Sequence, residues 1–81
     1  MTKLITPKAA TALYREITGQ SINIRFLTEI ALPRFCHLAA WWFDRNSGRR
    51  KLVAIHRARF EYFVKQRMVD RGVRNIFERE D

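Results

Sequence analysis

The feature that most constrains the fold is a pair of strand-like segments separated by four turn-forming residues. An aromatic segment at residues 41–44 precedes the turn at residues 45–48, and a basic segment with alternating apolar residues follows it. A four-residue connection that contains Gly48 is typical of a β-hairpin. Residues 50–65 then continue as a basic strand that leads directly into a basic amphipathic helix. The sequence therefore predicts an arginine-rich hairpin attached to a helix.

Side chains alternate between the two faces of a strand, which predicts the orientation of the hairpin. Trp41 and Phe43 share one face and are expected to be buried against the helices. Trp42 lies on the other face and is expected to be exposed. In the second strand we expect Val53 and Ile55 to point inward, with their neighbours on the opposite face.

Two helices are predicted before the hairpin. Thr6 followed by Pro7 is a strong helix start, and Gly19 is a natural stop, so the first helix covers residues 7–18. Its apolar face consists of Ala10, Leu13, Tyr14 and Ile17. Asn23 is the expected cap of the second helix.

The second helix is expected to end at Pro33, because proline disfavours helical geometry in the preceding residue. Leu27, Ile30 and Ala31 form its predicted buried face. A short turn joins it to the first helix, which gives the outline of a helix-turn-helix.

A third helix should follow the hairpin, with His56 as its cap and Gly72 at its end. Its inward positions are Phe60, Phe63, Val64 and Met68. The remaining charged tail is compatible with a short extra helix or with a frayed end. Ile76 and Phe77 within it suggest that the tail docks on another surface.

The order helix, helix, strand, strand, helix predicts an α+β fold of the winged helix-turn-helix type. We expect a single domain over residues 1–70 and a charged C-terminal tail over residues 71–81. The chain has 81 residues, enough for one small domain with a modest core.

The charge balance indicates a polyanionic partner. The chain carries 16 basic and 8 acidic residues, a formal net charge of +8, and most of the basic residues are arginine. The arginine side chain pairs with phosphate through two parallel hydrogen bonds, so this bias favours nucleic acid. The alternatives are an acidic protein partner and a charged surface that only faces solvent.

Other classes have little support. The single cysteine, Cys36, excludes an internal disulfide and suggests a reducing compartment. No apolar run is long enough to span a bilayer, so we expect a cytoplasmic, nucleoid-associated protein and no membrane partner. Cys36 and His37 with His56 have poor spacing for zinc and lack a third orienting group for catalysis. We therefore expect no metal, no cofactor and no enzymatic activity.

Three segments resemble a known family. Residues 6–13 look like the opening helix of the small excisionases and related MerR-like winged-helix proteins. Residues 22–30 are similar to the family's capped second helix in their apolar positions. Residues 53–64 resemble its strand-to-helix ending. The resemblance covers residues 4–67.

The resemblance implies a recombination directionality factor, a protein that binds and bends DNA at the end of a mobile element and directs an integrase towards excision. It also implies that the second helix enters the major groove and that the hairpin lies over the adjacent minor groove. Partners would be double-stranded DNA, an integrase and neighbouring copies along the DNA. The chain departs from the family in the exposed middle of that helix, where Phe26, Thr28 and Glu29 replace polar or basic residues.

The candidate DNA-binding residues form three groups. In the second helix they are Asn23, Arg25 and Thr28, and at the end of the hairpin, or wing, they are Arg45, Arg49, Arg50 and Lys51. Arg57 and Arg59 at the start of the third helix are a weaker group. Their charges could face an anionic partner, or ion pairs with Glu61 or the acidic tail could neutralise them.

Two other functions stay open from the sequence. One is a small transcriptional repressor of the same fold. The other is a small phage protein that binds a host protein and uses its basic surface as a nucleic-acid decoy, which Phe26 and Glu29 in the second helix favour.

Overall fold

A computed structural model describes residues 3–78 of the chain. It is a small α+β domain with three helices and a three-stranded antiparallel sheet, and the first and third helices contact the sheet. The strands lie in the order β1-β3-β2, where β1 is Leu4–Ile5, β2 is Ala39–Asp44 and β3 is Arg49–His56. The α+β class predicted from the sequence is confirmed.

Helix α1 is Pro7–Thr18, as predicted. The Thr6 hydroxyl accepts a hydrogen bond from the Ala9 amide at 3.1 Å, which satisfies one of the free N–H groups of the first turn. Gly19 ends the helix with φ of 74°, a left-handed conformation that glycine adopts without a steric cost.

Helix α2 covers residues 24–34 and has an internal π segment, Leu27–Ala31, between the short α-helical pieces Ile24–Phe26 and Leu32–Arg34. The predicted end at Pro33 is wrong, because the helix continues to Arg34. The ring of a proline inside an α-helix collides with the carbonyl four residues earlier. Pro33 lies in the first turn of the last α-helical piece, directly after the π segment, and a first turn tolerates proline.

The π segment also changes which residues of α2 are buried. Leu27 and Ala31 are buried as predicted, but Ile30 is 40% exposed, so its predicted burial is wrong. Leu32 is buried instead, and its amide donates to the Leu27 carbonyl. Residues five apart align in a π turn, whereas the prediction assumed the α-helical period.

The hairpin of β2 and β3 has the predicted turn at residues 45–48, but its register contains a β-bulge. Ala40 pairs with Ala54, whereas Trp41 pairs with Leu52, so Val53 is the extra residue. Val53 is consequently 61% exposed, and Leu52 packs against the core in its place. The predicted inward orientation of Val53 is wrong, and that of Ile55 is confirmed, since Ile55 is fully buried.

The sequence did not predict β1. Leu4 pairs with His56 and Ile5 pairs with Ile55, so the segment before α1 adds an edge strand to β3. The Lys3 carbonyl also accepts a hydrogen bond from the Arg57 amide at 3.0 Å, where the third helix begins.

Helix α3 is Arg57–Arg71, and it ends at Gly72 as predicted. Phe60 and Val64 are buried, while Phe63 and Met68 pack against the core at its edge. His56 lies at the predicted cap position but makes no capping hydrogen bond. Its Nδ1 atom is buried and has no hydrogen-bond partner within residues 3–78.

After α3 the chain folds back onto the core. Val73–Asn75 form a single 3-10 turn, and Ile76 and Phe77 are buried, which supplies the docking that this apolar pair suggested. Arg67 holds the segment by donating to the main-chain carbonyls of Ile76 and Glu78. The end of the predicted tail, residues 79–81, lies outside the described residues.

Candidate nucleic-acid interface

The end of the hairpin is organised by Asp44. Its carboxylate accepts hydrogen bonds from the Asn46 amide at 3.0 Å and the Ser47 hydroxyl at 2.9 Å. The Asp44 carbonyl accepts from the Gly48 amide at 2.8 Å, and Gly48 has φ of 68°. The carboxylate is therefore used within the turn, which fixes the hairpin end in one conformation.

The turn hydrogen bonds are stronger to an ionised Asp44 carboxylate than to a protonated one. The Ser47 hydroxyl, followed by the Asn46 amide, lowers the pKa of Asp44 below its ordinary value. Because the pKa is lower in the folded state, the stabilisation is complete above the pKa of an unfolded aspartate. It is lost as the pH falls through the folded pKa.

We expect the carboxyl carbon of Asp44 to titrate at lower pH than an aspartate in an unstructured peptide, as followed by NMR. In Ser47→Ala the largest cause is removed, so the pKa should return towards its ordinary value. An unchanged pKa in Ser47→Ala would contradict this description of the turn.

The predicted wing residues Arg45, Arg49, Arg50 and Lys51 are all exposed and lie together at the hairpin end. No carboxylate within residues 3–78 forms an ion pair with any of them. The Arg50 guanidinium lies 5.3 Å from the centre of the Trp41 ring, and the Lys51 ammonium lies 5.9 Å from that of Trp42. These contacts with the rings orient the two cations without neutralising their charge.

The two faces of the hairpin differ in their aromatic residues. Phe43 lies opposite Arg50 and Trp42 lies opposite Lys51. Trp42 is 53% exposed, as expected, and Trp41 packs against the core with its indole N–H donating to the Cys36 carbonyl. Phe43 is 58% exposed, so the expected burial of Phe43 is wrong. The hairpin extends beyond the core, so Phe43 is on the same face as Trp41 but reaches solvent.

The α2 candidates are largely engaged within the protein. The Asn23 side-chain oxygen accepts from the amides of Arg25 at 2.8 Å and Phe26 at 3.4 Å, which caps the helix. The Thr28 hydroxyl donates to the Ile24 carbonyl at 3.0 Å. The exposed Arg25 side chain pairs with Glu29 at 3.8 Å. The polar groups that this helix could offer to another molecule thus already have partners within the protein.

Asn23 offers a test of its structural role. We expect Asn23→Ala to lower the free energy of unfolding by about 1 kcal/mol, because the cap is lost, whereas Asn23→Ser should retain most of the stability. Urea denaturation measures both. A loss of DNA affinity in the serine variant without a loss of stability would show instead that the Asn23 amide contacts DNA.

Arg57 and Arg59 also have partners. Arg57 lies 3.9 Å from the Glu61 carboxylate, and Glu61 in turn lies 3.8 Å from Lys65. Arg59 donates to the His37 carbonyl at 3.0 Å and so joins α3 to the 3-10 turn Cys36–Leu38. The Arg57 contact agrees with the ion-pair alternative for this weaker group. The contact of Arg59 with a neutral carbonyl orients its guanidinium but leaves its charge in place.

Sequence reasoning missed a groove between α2 and the segment that follows α3. It has a volume of about 600 Å³ and contains apolar and charged side chains. Its apolar lining includes Tyr14, Ile22, Phe26, Val73 and Phe77, and its charged residues are Arg34, Arg74 and Glu78. One signal in the sequence indicated this packing, which is the apolar pair at residues 76 and 77 within an otherwise charged tail.

The described residues do not form a metal site or a membrane span. Within residues 3–78, no three His, Cys, Asp or Glu side chains cluster closely enough to hold a metal ion. None of the helices in this range is both long and apolar enough to cross a bilayer.

The structure thus brings the four wing residues together with no carboxylate of residues 3–78 paired to them, while the α2 and α3 candidates have partners. Comparison with protein-family models, with curated proteins and with solved structures finds no match to this chain.

Proposed function

We propose that this protein is a double-stranded DNA-binding domain of the winged helix-turn-helix type, with the end of the β2–β3 hairpin as its main DNA contact. The observation that carries the proposal is the cluster of four exposed cations there, with no carboxylate paired to them within residues 3–78. Four charges near one turn repel each other, and phosphates would relieve that repulsion.

A fixed hairpin suits this role better than a flexible one. The turn hydrogen bonds of Asp44 and the ring contacts of Arg50 and Lys51 restrict the hairpin before DNA binds. Less conformational entropy is then lost on binding. A narrow minor groove has an enhanced negative potential that attracts arginine, so we place the hairpin over the minor groove.

The second helix has a smaller part in this proposal. Its exposed cation, Arg25, forms an ion pair with Glu29. The Asn23 and Thr28 side chains form hydrogen bonds with the main chain of α2. We place α2 against the major groove, where Arg25 contacts the backbone and adds little sequence specificity.

Within this class we favour an accessory factor similar to excisionases, which bends DNA at the ends of a phage or integrative element in the cytoplasm and acts with an integrase. The support is the similarity of residues 6–13, 22–30 and 53–64 to that family, together with the basic hairpin. A repressor of the same fold would use the same surface on an operator. An integrase gene next to this one would favour the excisionase.

The test is binding to labelled duplex DNA that carries the ends of the native element, compared with scrambled duplex, over a salt series. We expect a preference for the native ends and complexes that contain several copies. If all four hairpin cations contact phosphates, the slope of log K against log salt is about −3.6. Equal binding to both duplexes that vanishes by physiological salt would contradict the proposal.

A second candidate function is binding to a host protein. Ile24, Phe26 and Ile30 of α2 are 44%, 37% and 40% exposed, and they give this helix an apolar surface that a DNA groove does not require. This candidate predicts tight binding to a protein and only weak, sequence-indifferent binding to DNA. A pull-down with an Ile24→Ser/Ile30→Ser control distinguishes the two functions.

A further inference from the structure

Phe43 is an exposed aromatic side chain with no partner ring among the described residues. It is 58% exposed, more than any other phenylalanine of residues 3–78. None of the ring–ring or cation–ring contacts in this range includes it. It also lies in β2, one residue before the Asp44 turn, so the sheet holds its main chain in place.

Three arginines lie close to Phe43 along the hairpin. Arg50 is its cross-strand neighbour, Arg49 pairs with the next residue of β2, and Arg45 follows two positions later in the turn. Neighbouring strands are about 4.8 Å apart, so a guanidinium and the ring can meet the same short stretch of DNA. The nearest carboxylate in sequence, that of Asp44, is occupied by the turn. An exposed apolar ring beside arginines suits DNA, whose charged backbone encloses apolar stacked bases.

We propose that Phe43 is a wedge that inserts between stacked base pairs from the minor groove and kinks the duplex. Apolar side chains of proteins that bind the minor groove unstack a base step in this way and bend DNA by roughly 20–90°. Arg45, Arg49 and Arg50 hold the phosphates on either side. The inference rests on the proposed function and adds the residue that deforms the DNA.

Trp42 is less suited to this role. Its ring carries the Lys51 ammonium 5.9 Å from the ring centre, so this cation would have to move before a base could stack there. Trp42 also lies on the opposite face of the hairpin from Phe43. The wedge is therefore assigned to Phe43, and its preferred sites are pyrimidine–purine steps, which unstack most easily.

The experiment uses a duplex of about 30 base pairs with a central TA step, in which 2-aminopurine replaces the adenine and a fluorescent donor and acceptor mark the ends. The full chain and Phe43→Ala are compared at saturating protein. Phe43→Leu keeps an apolar wedge, and Val53→Ala is the matched control, because Val53 is an apolar residue of the same hairpin and is 61% exposed.

For the unchanged chain we expect brighter 2-aminopurine and more energy transfer between the ends. In Phe43→Ala both changes should fall by at least about half, while the salt slope stays the same because no charge is removed. Phe43→Leu should retain most of both changes, and Val53→Ala should match the unchanged chain. Circular dichroism confirms that each variant is folded.

Two results overturn the wedge while leaving DNA binding intact. One is equal bending by the unchanged chain and Phe43→Ala. The other is a loss of affinity in Phe43→Ala for single-stranded DNA only, which indicates stacking on unpaired bases. If the unchanged chain binds neither this duplex nor the native ends, the proposed function fails, and the wedge fails with it.

Discussion

Replacing Phe77 by alanine is expected to lower the free energy of unfolding by about 3–5 kcal/mol. The side chain is only 6% exposed and lies at the centre of an aromatic cluster. Its ring centre is 5.7 Å from that of Phe63, 5.9 Å from Tyr14 and 6.4 Å from Phe60. Alanine would leave a cavity among rings from α1 and α3 that cannot collapse without moving the helices.

A loss of that size is a large part of the roughly 5–15 kcal/mol that stabilises a typical domain, so the variant should unfold at a much lower urea concentration. Urea denaturation followed by circular dichroism gives the value. Phe43→Ala is the matched control, because it removes the same atoms from a side chain that is 58% exposed, and it should cost less than about 1 kcal/mol. If Phe77→Ala lowers the free energy of unfolding as little as Phe43→Ala does, residues 73–78 do not pack on the domain in solution.

The second large effect is expected in the double variant Arg49→Ala/Arg50→Ala. Both guanidinium groups are exposed at the hairpin end and have no ion-pair partner within residues 3–78. Loss of two phosphate contacts should weaken duplex binding roughly tenfold to hundredfold at physiological salt. The slope of log K against log salt should become shallower by about 1.8.

The effect should be similar for every duplex sequence, because phosphate contacts do not read bases. The matched control is Lys8→Ala/Arg15→Ala, which removes the same charge from exposed positions of α1. It should change the affinity much less. If both double variants lose the same affinity and slope, the net charge and not the hairpin accounts for binding.

The parts of the fold that are set by local chemistry could be predicted from the sequence. Thr6, Pro7 and Gly19 fix both ends of α1 because each acts on the adjacent main chain. The hairpin turn was equally clear, because Gly48 adopts a positive φ that most residues avoid. The same turn places the four wing residues at the hairpin end, and their role in binding stays a prediction.

The parts that depend on tertiary packing could not be predicted. Strand alternation gave Phe43 and Val53 the wrong environment, because a bulge and the length of the hairpin beyond the core do not show in local periodicity. The π segment shifted the buried face of α2 away from Ile30. At the site, the partners of Arg25, Arg57 and Arg59 depend on side-chain positions that the sequence leaves open.

The distance along the chain between packed residues has a consequence for synthesis on the ribosome. Tyr14 of α1 stacks on Phe77, and β1 pairs with the end of β3, so both ends of the described chain close the same core. Helix α1 can form early, but the Tyr14 ring has no Phe77 ring to stack on until residue 77 has left the exit tunnel. Apolar surface of the nascent chain stays exposed until then, and contacts this far apart in sequence also slow folding.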